Sequence, residues 1–192
     1  KQNQLQQYLV ENEWDAAFIT TPDNVFYFSN FKSDPHERLL GVMVFKDAEP
    51  FLICPKMEIP DVVAAGWTYE VIGHEDTQNA WDVVANAVKA RNVSFNTLAI
   101  EKSHLTVERL EAIQERFDTL KFTNIDEKVN ALRICKDEEE LVKLRKAAQL
   151  ADFAIEVGCN AIAEGKTEME ILNTIESAIK AKGYAMSFNT MV

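Results

Sequence analysis

Short apolar runs alternate with helix-period segments along the first 125 residues, and this constrains the fold more than any other feature of the chain. Ala16-Ala17-Phe18-Ile19-Thr20, Gly41–Phe45, Phe51–Cys54, Tyr69–Ile72, Thr97–Ile100 and Lys121-Phe122-Thr123 are strand-length runs bounded by polar or turn residues. Between them, Leu5, Tyr8 and Leu9 mark one face of a helix over Gln2–Asn12, and Pro22-Asp23-Asn24 opens a brief helix carrying Val25, Phe26 and Tyr27. Glu58–Ala65 predicts another helix. Trp81, Val84, Ala85 and Val88 share a helical face, and Leu110, Ile113 and Phe117 line a helix that Thr106 can cap. One apolar stripe per helix needs a sheet to cover, so the pattern predicts an α/β domain with helices on both faces of the sheet. Lys46-Asp47-Ala48-Glu49-Pro50 reads as a hairpin connection, which makes the sheet mixed.

The character changes near Asp126, which divides the chain into predicted domains at 1–125 and 126–192. Asp137 with Glu140, and Thr167 with Glu170, have the spacing of capping boxes. Leu141, Leu144, Ala148, Ala151, Ile155 and Ile162 form one long stripe that Gly165 ends; Leu172, Ile175 and Ile179 form a second that Gly183 ends. Met186–Val192 then reads as a strand. Two helices and a lone strand cannot bury one another, so this region is expected to be the opening of a domain. An exposed apolar edge at Met186–Val192 would promote self-association.

Charge and motif content remove several function classes. With 31 acidic against 20 basic residues and a net charge of -11, the chain repels phosphate backbones, so nucleic-acid binding is not expected. No apolar run is long enough to span a bilayer, and the segment after Lys1 lacks the apolar core of a secretory signal. Cys54, Cys135 and Cys159 are far apart, each in an apolar stretch; they are expected to be buried thiols in a reducing, cytoplasmic compartment. None of His36, His74 and His104 has a second histidine at helical spacing, and neither a GxSxG elbow nor a glycine-rich phosphate loop occurs. No residue is therefore singled out as a catalytic group or a metal ligand.

One loop concentrates chemistry. Asp34-Pro35-His36-Glu37-Arg38 sets two carboxylates, an imidazole and a guanidinium within five residues. Arg38 can present a fork to a substrate carboxylate and His36 a donor. The plain alternative is a solvated turn in which Arg38 pairs with Glu37 or Asp34.

Longer motifs bring a resemblance. Leu132-Arg133-Ile134-Cys135-Lys136-Asp137-Glu138-Glu139-Glu140-Leu141, then Leu144-Arg145-Lys146-Ala147-Ala148 and Asp152, resemble the start of the catalytic domain of Xaa-Pro peptidases. Gly165-Lys166-Thr167-Glu168-Met169-Glu170-Ile171 and Ser187-Phe188-Asn189-Thr190-Met191-Val192 extend the likeness. Ala17–Thr20, Asn24–Phe31 and Glu37-Arg38 are similar to the first strand, helix and polar loop of the creatinase-type N-terminal domain. The resemblance, to aminopeptidase P, prolidase and creatinase, implies that domain followed by the first helices and strand of a pita-bread α+β domain. It implies a cytoplasmic, homodimeric metallopeptidase acting on Xaa-Pro dipeptides or short peptides with two divalent metals, Mn²⁺ or in its place Co²⁺ or Zn²⁺. The family's two aspartates, histidine and two glutamates that bind metal follow the Ser-Phe-x-Thr strand, so none has a counterpart here and this chain itself is expected to be inactive. Asp34, His36, Glu37 and Arg38 become candidates for the rim of a partner subunit's cleft. A non-catalytic interaction module, or a creatinase-like hydrolase of another small amide, is the alternative.

Overall fold

The computed structural model describes residues 1–192, which divide into two compact units, Lys1–Cys135 and Lys136–Val192. The first unit runs α1 (Gln2–Glu11), β1 (Ala16–Ile19), α2 (Pro22–Ser29), β2 (Gly41–Phe45), β3 (Phe51–Pro55), a 3-10 turn (Lys56–Glu58), α3 (Ile59–Ala64), β4 (Glu70–His74), α4 (Ala80–Ala90), β5 (Thr97–Ile100), α5 (Val107–Gln114), β6 (Lys121–Asn124) and α6 (Asp126–Ile134). Its six strands form one sheet in the order β4-β3-β2-β1-β5-β6. β2 pairs antiparallel with β1 and β3, and the other pairings are parallel, so the sheet is mixed as the hairpin connection requires.

Side-chain alternation along the strands builds two cores, one on each face. Ala17, Ile19, Val42, Val44, Leu52, Cys54 and Ala99 point to the face covered by Leu5 and Leu9 of α1, Val25 and Phe28 of α2, Val62 of α3 and Val129 of α6. Ala16, Phe18, Met43, Phe45, Phe51, Ile53, Leu98 and Ile100 point to the other, covered by Val84 and Val88 of α4 and Ile113 of α5. The central strands are buried on both faces, which is why they read as continuous apolar runs rather than alternating ones. Gly41 is required for close approach: a Cβ there would lie 2.5 Å from Phe18 Cε2 and 3.0 Å from the Ile19 carbonyl oxygen.

The second unit holds α7 (Glu138–Ala161) and α8 (Glu168–Ala181). Both capping boxes form: Asp137 with Glu140, and Thr167 with Glu170, each exchange reciprocal side-chain-to-backbone bonds. Ile171 and Ile179 are buried, and Gly158 lets α7 approach Ile175 of α8. α7 stops at Ala161, before Gly165, whose φ of +85° serves the turn between the helices.

Three expectations change. Met186–Val192 forms no strand, because no neighbouring strand in the described chain supplies a ladder. Cys135 and Cys159 are exposed, and only Cys54 is buried; Cys135 caps α6 in extended conformation, and Cys159 lies on a solvent face of α7. The division between units falls one helix later than the change in sequence character, since α6 buries Val129 in the first core and its Leu132 carbonyl accepts a 2.9 Å bond from the Tyr27 hydroxyl. No helix is long and apolar enough to cross a membrane.

Candidate functional site

The carboxyl ends of the parallel neighbours β1 and β5 open onto the segment that leads into β2. In sheets of this kind, loops leaving strand ends diverge and create crevices. Here a cavity of about 360 Å³ forms, lined by Thr20 after β1, Asp34, His36 and Glu37 from the loop, and His104 and Arg109 from the β5–α5 region.

Below the cavity, Glu101 organises the strand ends. Its side chain is fully buried. Oε2 accepts from the backbone amides of Thr20 at 2.5 Å and Thr21 at 2.8 Å, and Oε1 accepts from the side-chain amide of Asn24. The Asn24 carbonyl oxygen in turn accepts from Arg133 Nη1 of α6 at 2.7 Å. Thr21, the N-cap residue of α2, makes no side-chain capping bond; its own backbone amide donates to the Glu101 carboxylate, which stands just after β5 at the start of α2. The Thr20 hydroxyl then meets His104 Nδ1 at 3.0 Å, which fixes the imidazole on the cavity wall.

The loop residues divide. Asp34, His36 and Glu37 line the cavity, whereas Arg38 does not. Arg38 is held away from Glu37 and Asp34 by Asp76, which accepts from Nε at 2.7 Å and Nη2 at 3.0 Å. This corrects the local pairing expected of a solvated turn. Asp76 holds the Arg38 pKa above its ordinary value, and Arg38 holds the Asp76 carboxyl below its own. The His36 and Asp34 side chains are mostly exposed, with Nδ1 and Oδ1 4.0 Å apart. His36 has φ of +51°, the left-handed region in which histidine is enriched among non-glycine residues. Arg109 Nη2 donates to the Glu37 carbonyl at 3.4 Å, which ties the loop to α5.

Sequence reading missed Thr20, His104, Arg109 and Glu101. His104 and Glu101 stood in the right place, directly after a strand, but their partners lie some eighty residues away. Chemically, the cavity offers two imidazoles, a guanidinium and carboxylates to a small polar ligand. No three His, Cys, Asp or Glu side chains of this chain converge to hold a metal ion, so its donors do not fit a metal pair.

The comparisons with known proteins point one way. The family model for the creatinase/prolidase N-terminal domain matches residues 1–135. The chain is 42% identical over 186 residues to "Putative dipeptidase YkvY" of Bacillus subtilis (strain 168), covering 96% of this chain and 51% of that protein. An uncharacterized peptidase of Staphylococcus aureus (strain USA300) is 44% identical over 179 residues, covering 93% of this chain and 49% of its own length. The chain thus spans about half the length of the curated relatives it matches. Among solved structures, the N-terminal domain of an Xaa-Pro dipeptidase from Lactobacillus brevis superposes with a TM-score of 0.66 at 34% identity, over 68% of this chain and 98% of that one. A recombinant prolidase from Thermococcus sibiricus shares the fold over 98% of this chain and 51% of its own, with a TM-score of 0.81 at 22% identity.

Proposed function

This chain belongs to the creatinase/prolidase N-terminal domain family, and from that premise we propose that it is the N-terminal portion of a metal-dependent Xaa-Pro dipeptidase or aminopeptidase. In the intact protein the bond before proline is hydrolysed. A divalent metal pair, Mn²⁺ or in its place Co²⁺ or Zn²⁺, would acidify water and polarise the scissile carbonyl when bound. Its ligands lie outside this chain, whose own carboxylates and imidazoles do not converge to hold one. The chain's part is to pair subunits and to gate substrate, and a homodimeric, cytoplasmic protein fits this role.

The observation that carries this reading is the cavity at the ends of β1 and β5, where the loop sets Asp34, His36 and Glu37 beside His104 and Arg109. A dipeptide is a small zwitterion. Carboxylates and a guanidinium on one rim suit its two charged ends, while a long peptide brings its ammonium but carries its carboxylate far from the bond cleaved. His36 and its neighbours are therefore rim residues over a partner's cleft, and Arg38 supports the loop from outside the cavity.

Hydrolysis of Xaa-Pro dipeptides by the intact protein with added Mn²⁺ tests the activity, and titration of the 192-residue chain with Mn²⁺ tests the assignment of ligands. Tight binding of two ions to the chain alone would contradict it. Hydrolysis of a different small amide, with Xaa-Pro dipeptides untouched, would favour the creatinase-like alternative.

A further inference from the structure

The segment from Ser33 to Leu40 is tied at several points, and the strongest ties come from one place: the carboxyl end of the edge strand β4 and the turn after it. Asp76 grips Arg38 through two parallel bonds of 2.7 and 3.0 Å. His74, buried at the end of β4, meets the Leu39 carbonyl at 2.9 Å through Nε2; a carbonyl only accepts, so Nε2 carries the proton. Weaker ties complete the set. The Ser33 hydroxyl donates to Glu58 at 2.9 Å, and Arg109 reaches the Glu37 carbonyl at 3.4 Å.

Resting on the rim role proposed above, we propose that Asp76 is a positioning residue for substrate binding: by clamping Arg38 it fixes where His36 stands at the cavity. The pair is exposed, 35% for Arg38 and 69% for Asp76, so it adds little to the stability of the fold. A fork bonded at two atoms nevertheless fixes direction as well as distance. Arg38 adjoins Glu37 and His36, and His36 sits in the left-handed region, which costs a non-glycine residue energy that the contacts around it must offset. On one side the Arg38 amide donates to the Pro35 carbonyl at 3.0 Å, closing the turn around His36. On the other stand Asp76 and His74. Nothing else in the first unit grips the Arg38 guanidinium with two bonds.

The test uses the intact protein, with steady-state kinetics on an Xaa-Pro dipeptide and hydrogen exchange across residues 32–40. Asp76→Ala is expected to raise KM about tenfold while kcat changes less than about twofold, the size of effect a shifted positioning group produces. Arg38→Ala should match it, and the double variant should be no worse than either. The exchanged pair Arg38→Asp with Asp76→Arg should recover most of the affinity, which a merely structural loss would not. Exchange across the loop should rise in Asp76→Ala with the thermal midpoint unchanged. If His36→Ala impairs the reaction but Asp76→Ala leaves KM unaltered, the positioning role is overturned. If His36→Ala has no effect, the rim reading falls and the positioning of His36 for substrate falls with it; faster exchange in Asp76→Ala would then show a clamp on the loop alone, and unchanged exchange would overturn that as well.

Discussion

Replacing Glu101 gives a large and separable loss of stability. The buried carboxylate accepts three bonds, from the amides of Thr20 at 2.5 Å and Thr21 at 2.8 Å and from the Asn24 side chain. Glu101→Ala leaves three donors without acceptors. At about 1–3 kcal/mol for each buried donor left unpaired, and allowing for a water entering the space, the expected cost is about 3–6 kcal/mol. Glu101→Gln is different. Its carbonyl oxygen can still face the two backbone amides, but its NH₂ then opposes the Asn24 amide. Asn24 cannot turn over to accept it without losing Arg133, whose Nη1 donates to the Asn24 oxygen at 2.7 Å. Gln therefore loses one interaction, and about 1–2 kcal/mol. Guanidinium unfolding followed by tryptophan fluorescence reads this cleanly, because Trp14, Trp67 and Trp81 all lie in the Lys1–Cys135 unit and touch both cores. Equal midpoints for Ala and Gln, or a loss below about 1 kcal/mol for Ala, would refute the reasoning.

Other outcomes follow from the same structure. Burial alone would raise the Asp15 pKa, but the Lys46 ammonium and the amides of Asn96 and Thr97 outweigh it and hold the carboxyl below its ordinary 3.8. Its folded-state pKa is thus depressed, so its contribution is full above 3.8 and lost as the pH falls through the lowered value. The stability gap between the native chain and Asp15→Asn should hold above about pH 4 and shrink as the pH falls below it, from the ordinary aspartate pKa of the unfolded chain toward the lowered folded-state value; a gap that stays constant with pH would contradict this. Burial pushes the Cys54 thiol up to about 12, whereas Cys135 and Cys159 are exposed, so a thiol reagent should label two sites quickly in the native 192-residue chain and the third only on unfolding. Gly41→Ala, with its new Cβ 2.5 Å from Phe18 Cε2, should cost about 1–3 kcal/mol in the same fluorescence experiment; a neutral result would show that Phe18 yields freely.

What could be read in the residues follows from the range of each interaction. Period and length revealed the strands, because two-sided burial writes itself as unbroken apolar runs such as Gly41–Phe45. The capping boxes at Asp137 and Thr167 were legible because both partners lie within three residues. The loop was visible for its density of charge, and the structure does bring Asp34, His36 and Glu37 to one cavity. The partner of Arg38 was not visible: Asp76 is brought to it only because β4 pairs with β3 at the sheet edge. Glu101 looked like any acid after a strand, and only the parallel pairing of β1 with β5 sets it beneath α2. α6 escaped notice because it buries chiefly Val129, too little to make a stripe. Met186–Val192 has the composition of a strand, but a strand is a property of a pair, and apolar alternation cannot provide the neighbour.

The most direct trial of the account compares kcat/KM for an Xaa-Pro dipeptide between the intact, Mn²⁺-supplied protein and its His36→Ala variant. With the imidazole gone from the cavity rim, the value should fall by about tenfold or more while the fold and the metal content stay the same. Catalysis by the variant within about twofold of the native protein would show that the loop at the ends of β1 and β5 takes no part in receiving the substrate.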